Sequence, residues 1–176
     1  MTDLVFFDES HFVSDDLWYK YGWFQKSSAP IAYQQGIWKQ QSVSLLLAIG
    51  WEGVVAYKLC VGGVRDSQFA TFFYEADFKS NERKIFVLDN APIHRSYYSE
   101  SDVMTYLQRN RMVLFQSKYS PDLNPIEMVF GFTKKRVKQT EQGLQELRDV
   151  VEAAVKEISV EDCRNTIMKV FESTQL

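Results

Sequence analysis

Cysteine and histidine are scarce in this chain of 176 residues, with two of each. Cys60, Cys163, His11 and His94 stand far apart and without paired ligand spacing, which excludes a structural zinc site and a disulfide framework. Both cysteines are expected as buried thiols in an intracellular protein, Cys60 within an apolar stretch of strand character. Long apolar runs are also missing. The longest, Leu45 to Ile49, is too short to cross a bilayer, so no membrane association is expected. The residues before Asp8 leave no room for a signal peptide. Positive charge is not in excess, since 20 Lys and Arg face 23 Asp and Glu for a net charge of −3. That excludes a module coated in basic surface, and any DNA contact must be local. Internal repeats, low-complexity segments and long linkers are absent.

What the chain has in quantity is apolar and aromatic surface, 45% and 15% of its residues. At this length that supports one domain, residues 1–176, with a sizeable core. Leu4 to Phe7 reads as a strand, and a further strand candidate lies in the aromatic stretch Trp18 to Phe24. Ser42 to Ile49 and Val54 to Val61 are β-branched runs around Gly50-Trp51-Glu52-Gly53, a hairpin pattern. Asp66 is placed to cap a helix carrying Phe69, Phe72, Phe73 and Ala76. Ile85 to Leu88 suits a central strand covered on both faces. A helix from Ser101 or Asp102, with Val103, Met104 and Leu107 inward, precedes a strand over Met112 to Phe115. Amphipathic helices follow, one from Gln142 with Leu144, Leu147, Val151, Ala154, Val155 and Ile158, and one capped by Ser159 with Cys163, Ile167, Val170 and Phe171. The order fits a ribonuclease-H-like α/β fold, a mixed sheet in which an antiparallel meander is extended by parallel strands and flanked by helices.

Two of the apolar strand runs end in an aspartate: Leu4-Val5-Phe6-Phe7-Asp8 and Ile85-Phe86-Val87-Leu88-Asp89. Ligands of open α/β sheets bind in the crevice beyond strand ends, although aspartate there is also an ordinary turn residue. Glu127 is a third acid of interest. Asn124 is a good helix N-cap, Pro125 suits the first turn, and Glu127 falls where a capping-box glutamate belongs. The same first-turn position also holds a carboxylate rigidly at a helix end that attracts phosphate. Both roles stand open. On this helix Ile126, Val129, Phe130, Thr133 and Val137 form an apolar face, and Glu127, Gly131, Lys134 and Lys138 an adjacent stripe. Lys134, Lys135, Arg136 and Lys138 are candidates for phosphate contacts, or else solvated bases complementing the helix C-terminus. Trp18, Tyr19, Tyr21 and Trp23 suit packing better than stacking on unpaired bases.

Phe7-Asp8-Glu9-Ser10, Tyr21-Gly22-Trp23, Leu88-Asp89-Asn90-Ala91 with His94, and Tyr119-Ser120-Pro121-Asp122-Leu123-Asn124-Pro125-Ile126-Glu127 together resemble the mariner-like transposases of the DDE superfamily. The likeness runs from about Val5 to Lys138. It implies that Asp8, Asp89 and Glu127 are the catalytic, metal-binding acids. The 37 residues between Asp89 and Glu127 are close to the spacing usual in this group. Departures fall at Lys26-Ser27-Ser28-Ala29-Pro30, at Ser117-Lys118-Tyr119 and at Phe130, where family members commonly carry glycine and prolines, or a tryptophan. The resemblance further implies a paired helix-turn-helix DNA-reading region. The seven residues before Asp8 hold none, so the expectation is a catalytic domain without it.

The implied activity is that of a metal-dependent endonuclease and strand-transfer domain of a cut-and-paste transposase. Clustered carboxylates repel unless cations neutralise them, so magnesium is expected, with manganese able to substitute, as two ions flanking the scissile phosphate. DNA is the implied partner, contacted by His94, Lys118, Lys134, Lys135, Arg136 and Lys138. A homodimer or a separate DNA-binding subunit is the further expectation, in the nucleus of a eukaryote or the cytoplasm and nucleoid of a bacterium. The alternative is an inactive or domesticated remnant that serves as a binding or assembly module. Asp122 is the substitute ligand should Glu127 act only as a cap.

Overall fold

A computed structural model describes residues 3–14, 42–78, 84–89, 112–117, 120–139 and 146–173. Its centre is a sheet of five strands, β1 (Leu4–Val13), β2 (Ser42–Gly50), β3 (Gly53–Val61), β4 (Ile85–Leu88) and β5 (Met112–Phe115), in the order β3-β2-β1-β4-β5. β1 to β3 form the antiparallel meander, and β4 and β5 extend it in parallel to β1. The helices are α1 (Asp66–Phe78), α2 (Pro125–Gln139), α3 (Leu147–Lys156) and α4 (Val160–Ser173), with a 3-10 turn at Pro121–Leu123. The strand candidate at Trp18 to Phe24, the helix from Ser101 or Asp102 and the helix start at Gln142 lie outside the described residues.

Pleat alternation divides the core in two. Val5, Phe7, Leu46, Ala48, Phe86 and Leu88 face α1, where Phe7 stacks on Phe73 at 4.7 Å between ring centroids and meets Phe86 edge-on at 5.3 Å. Phe6, Phe12, Leu45, Leu47, Ile49 and Val87 face the opposite layer and share one cluster with the buried sides of α2, α3 and α4. Central β2 feeds both layers, which is why its run from Val43 to Ile49 is wholly buried.

The hairpin from β2 to β3 turns at Trp51 and Glu52, with Gly53 at φ +108°. A side chain at Gly53 would also meet Val160 Cγ2 at 3.1 Å, so glycine there permits both the turn and the close approach of α4. Arg164 closes that corner, donating from Nε to the Trp51 carbonyl at 2.9 Å and pairing with Glu52. At α4 the expected Ser159 cap is present and reciprocal: Asp162 N–H donates to Ser159 Oγ at 3.0 Å, while Ser159 N–H donates to Asp162 Oδ2 at 2.9 Å. At α1 the cap lies one residue earlier than expected. The Arg65 carbonyl accepts from Phe69 N–H at 3.1 Å, and Gln68 Oε1 accepts from Arg65 N–H at 2.9 Å, so Arg65 is the capping position and Asp66 begins the helix.

Candidate active site

Asp8 lies in the middle of a strand, where the sequence suggests a strand end. β1 runs on to Val13, because Glu9 to Val13 continue the antiparallel ladder against β2 and Phe12 goes fully into the core. The strand that stops is β4. Its pairing with β1 ends at Phe7 opposite Leu88, and Asp89 follows at once. Phe6 and Val87 are opposite each other and share the core layer beneath α2. Two residues further along β1, alternation carries Asp8 to that same face, and Asp89 follows the last residue of β4, the neighbouring strand about 4.8 Å away. The register therefore puts these two acids next in line after the last β1–β4 pair.

Asp8 is only 7% exposed. A buried carboxylate must be hydrogen-bonded to be tolerated, and this one is: Glu9 N–H donates to Oδ1 at 2.7 Å and Asn124 Nδ2 donates to Oδ2 at 2.8 Å. Asn124 stands directly before α2 and caps it, its Oδ1 accepting from Ile126 N–H at 3.3 Å. The start of α2 is thus attached to Asp8, and Glu127 is in its first turn.

The capping-box role expected of Glu127 is not taken up. Its carboxylate is exposed and makes no hydrogen bond or ion pair among the described residues, while its own N–H donates to the Asn124 carbonyl at 3.2 Å. With Asp122 and Asn124 it lines a cleft of about 540 Å³, walled on the far side by Lys169 and Ser173 of α4. Asp122 is likewise exposed. Among the described residues no three His, Cys, Asp or Glu side chains converge closely enough to enclose a metal ion. Asp8 and Asp89 each follow the last β1–β4 pair, Phe7 opposite Leu88, and Glu127 lines the cleft shared with α4. Chemically the set suits a hard divalent cation, being all carboxylate oxygen, with the Glu127 carboxylate making no hydrogen bond or ion pair among the described residues.

The basic residues of α2 divide. Lys134 holds its ammonium over the Phe12 ring at 5.7 Å, on the layer that carries Asp8. Arg136 turns to α3 and pairs with Glu157 at 3.4 Å. Lys135 and Lys138 are exposed. Gly131 faces open space, with nothing within 4 Å of where a side chain would begin. His94 and Lys118, together with Trp18, Tyr19, Tyr21 and Trp23, lie outside the described residues. Both cysteines are buried thiols as expected; burial raises the thiol pKa of each, to about 11 for Cys163.

Two neighbours of the acids escape sequence reasoning. Asn124 is legible as a cap, yet Ser, Thr or Asp would cap as well; asparagine is the one that joins a capping oxygen to a separate N–H donor at its far end, which here reaches Asp8. Gln116, just after β5, donates from Nε2 to the Leu123 carbonyl at 3.0 Å and belongs to no motif.

Residues 3–150 match the sequence model of the DDE superfamily endonucleases. No curated protein sequence matches the chain. Among solved structures, the Mos1 transposase paired-end complex with left transposon end superposes with a TM-score of 0.76 at 18% identity, covering 99% of this chain and 54% of that one. The crystal structure of the catalytic domain of Mos1 mariner transposase gives 0.67 at 18% identity, covering 99% and 79%. The Mos1 catalytic domain with raltegravir and Mg gives 0.66 at 19%, covering 99% and 81%; a further paired-end complex was solved with Mn. The chain therefore spans about half the length of the Mos1 chains in those paired-end complexes. These likenesses establish the ribonuclease-H-like fold.

Proposed function

Since the chain belongs to the DDE superfamily endonucleases, we propose that it is the catalytic domain of a cut-and-paste DNA transposase, with Asp8, Asp89 and Glu127 as its catalytic, metal-binding acids. The observation that supports this reading is that Asp8 and Asp89 follow the last paired residues of neighbouring β1 and β4, while the residue capping α2, three before Glu127, is hydrogen-bonded to Asp8. Magnesium, with manganese as substitute, is the cofactor these oxygens would hold, as a pair of ions shared among them. When bound, such ions polarise the scissile phosphate and favour ionisation of the attacking oxygen.

The chain's own residues do the rest. Asp8, buried and held at both oxygens, keeps a fixed orientation, and its desolvation makes the negative charge costly until a cation arrives. Asp89, just past the end of β4, and Glu127, exposed on a helix turn, close on the substrate from either side. The N-terminus of α2 favours the phosphate electrostatically. Lys134, Lys135 and Lys138 present positive charge along the same helix and position the DNA backbone. Arg136 contributes there on release from Glu157, and His94 and Lys118 complete the contacts. Attack by water cuts a strand, and attack by the resulting 3′-hydroxyl joins it to a target phosphodiester.

We take residues 1–176 as one catalytic domain that acts on DNA, as a homodimer or together with a separate DNA-binding subunit. The workplace is the nucleus of a eukaryote or the cytoplasm and nucleoid of a bacterium. All three candidate acids are present, so the remnant alternative has no observation of its own. The test is nicking of supercoiled DNA by the chain in Mg²⁺ or Mn²⁺. Nicking is expected to vanish in EDTA and in Asp89→Ala, and an undiminished Asp89→Ala would overturn the proposal.

A further inference from the structure

Two side-chain amides and one backbone N–H link the three segments that carry the candidate acids. Gln116 N–H donates to the carbonyl of Leu88, the residue before Asp89, at 2.9 Å. Its Nε2 donates to the carbonyl of Leu123, the residue before Asn124, at 3.0 Å. Asn124 Nδ2 donates to Asp8 Oδ2 at 2.8 Å, and the Asn124 carbonyl accepts from Glu127 N–H at 3.2 Å. A continuous path of hydrogen bonds thus runs from the end of β4, through the end of β5, to the start of α2 and into the middle of β1. Asn124 is 4% exposed and Gln116 half-buried, so water competes little for these bonds.

We propose that Asn124 and Gln116 are positioning residues of the divalent-cation site, holding Asp8, Asp89 and Glu127 in mutual register. The inference rests on the reading of the three acids as cation ligands. Each amide is suited to its place by having two ends. Asn124 needs an acceptor toward the helix and a donor toward a carboxylate at once. Aspartate lacks the donor, and serine caps but does not reach. Groups that orient metal-binding carboxylates typically matter by about 10- to 100-fold in metal affinity.

The test is calorimetric titration of Mn²⁺ onto the 176-residue chain, with thermal unfolding of the metal-free protein alongside. Asn124→Ser keeps a capping oxygen and loses the donor to Asp8; Gln116→Met keeps length and loses the donor to Leu123. Each is expected to raise the Mn²⁺ dissociation constant by about tenfold or more, while the metal-free protein still unfolds cooperatively well above the titration temperature. Because both residues belong to one path, the double variant should lose less than the product of the single losses. Mn²⁺ affinity unchanged in both single variants overturns the inference, whatever happens to stability. Should Asn124→Ser fail to fold, Gln116→Met decides alone. Asp89→Ala separates the two levels. If it abolishes Mn²⁺ binding while the amide variants keep it, only the positioning roles fall; if it binds as the wild type does, the assignment of the acids falls and takes the inference with it.

Discussion

Phe7 and Asp8 are neighbours in β1 and inhabit opposite worlds. Phe7 enters a dry layer of rings between the sheet and α1, with Phe72, Phe73 and Phe86 against it. Asp8 enters the other layer and finds two hydrogen-bond donors, the Glu9 N–H and the Asn124 amide. One peptide unit separates a part of the molecule that supplies stability from the part to which the proposed chemistry is assigned. Alternation along a strand makes this possible, since it gives each face its own environment without any change in backbone path.

The sharpest way to break that division is to change one face at a time. Asp8→Asn should abolish nicking and also remove the Mg²⁺-dependent gain in stability, which at 100 times the dissociation constant amounts to about 2.7 kcal/mol. Thermal unfolding with and without Mg²⁺ reads this directly, and a persisting shift would remove Asp8 from the site. Phe73→Ala, on the other face, should cost about 3 to 5 kcal/mol in urea denaturation, because Phe73 is fully buried and stacked on Phe7. Whatever fraction stays folded should bind Mn²⁺ with wild-type affinity.

Smaller effects sharpen the comparison. Asp162→Ala removes a reciprocal cap remote from the acids and should cost about 1 kcal/mol with no change in nicking. The backbone and hydroxyl hydrogen bonds of Ser159 hold the Asp162 carboxyl below the usual range. Its folded pKa is therefore below its unfolded value of about 3.9, so its contribution is fully present above that value and is lost as pH falls through the folded pKa. The acid limb of a stability profile should flatten correspondingly in Asp162→Asn. Smallest of all, Lys135→Ala should leave stability unchanged. It should lower the salt dependence of DNA binding by about 0.9 in log–log slope if Lys135 meets one phosphate.

Much of the fold was legible because its signals are local. The β2–β3 hairpin is written in two glycines and two β-branched runs, β4 in four apolar residues, and the Ser159 cap in a spacing of three. The length of β1 was not, because Glu9-Ser10-His11 looks like a turn until β2 is set beside it. His11 Nδ1 lies 2.9 Å from Ser44 Oγ of that strand, a partner 33 residues away. The candidate site divides in the same way. The acids announce themselves by their flanking residues, whereas the Asn124 bond to Asp8 joins residues 116 positions apart and has no sequence signature. The cap offset at α1 came from a capping residue, Arg65, that contributes backbone rather than side-chain oxygen.

That β1 continues past the end of β4 has a mechanical consequence. Asp8 is clamped fore and aft by ladder bonds to β2, like the fixed jaw of a vice, whereas Asp89 sits past the last rung of its strand and Glu127 on the first turn of a helix. Under the proposed function, any adjustment as a cut end gives way to a joined one would come from these two outer jaws, with β1 as the datum against which both strokes are measured.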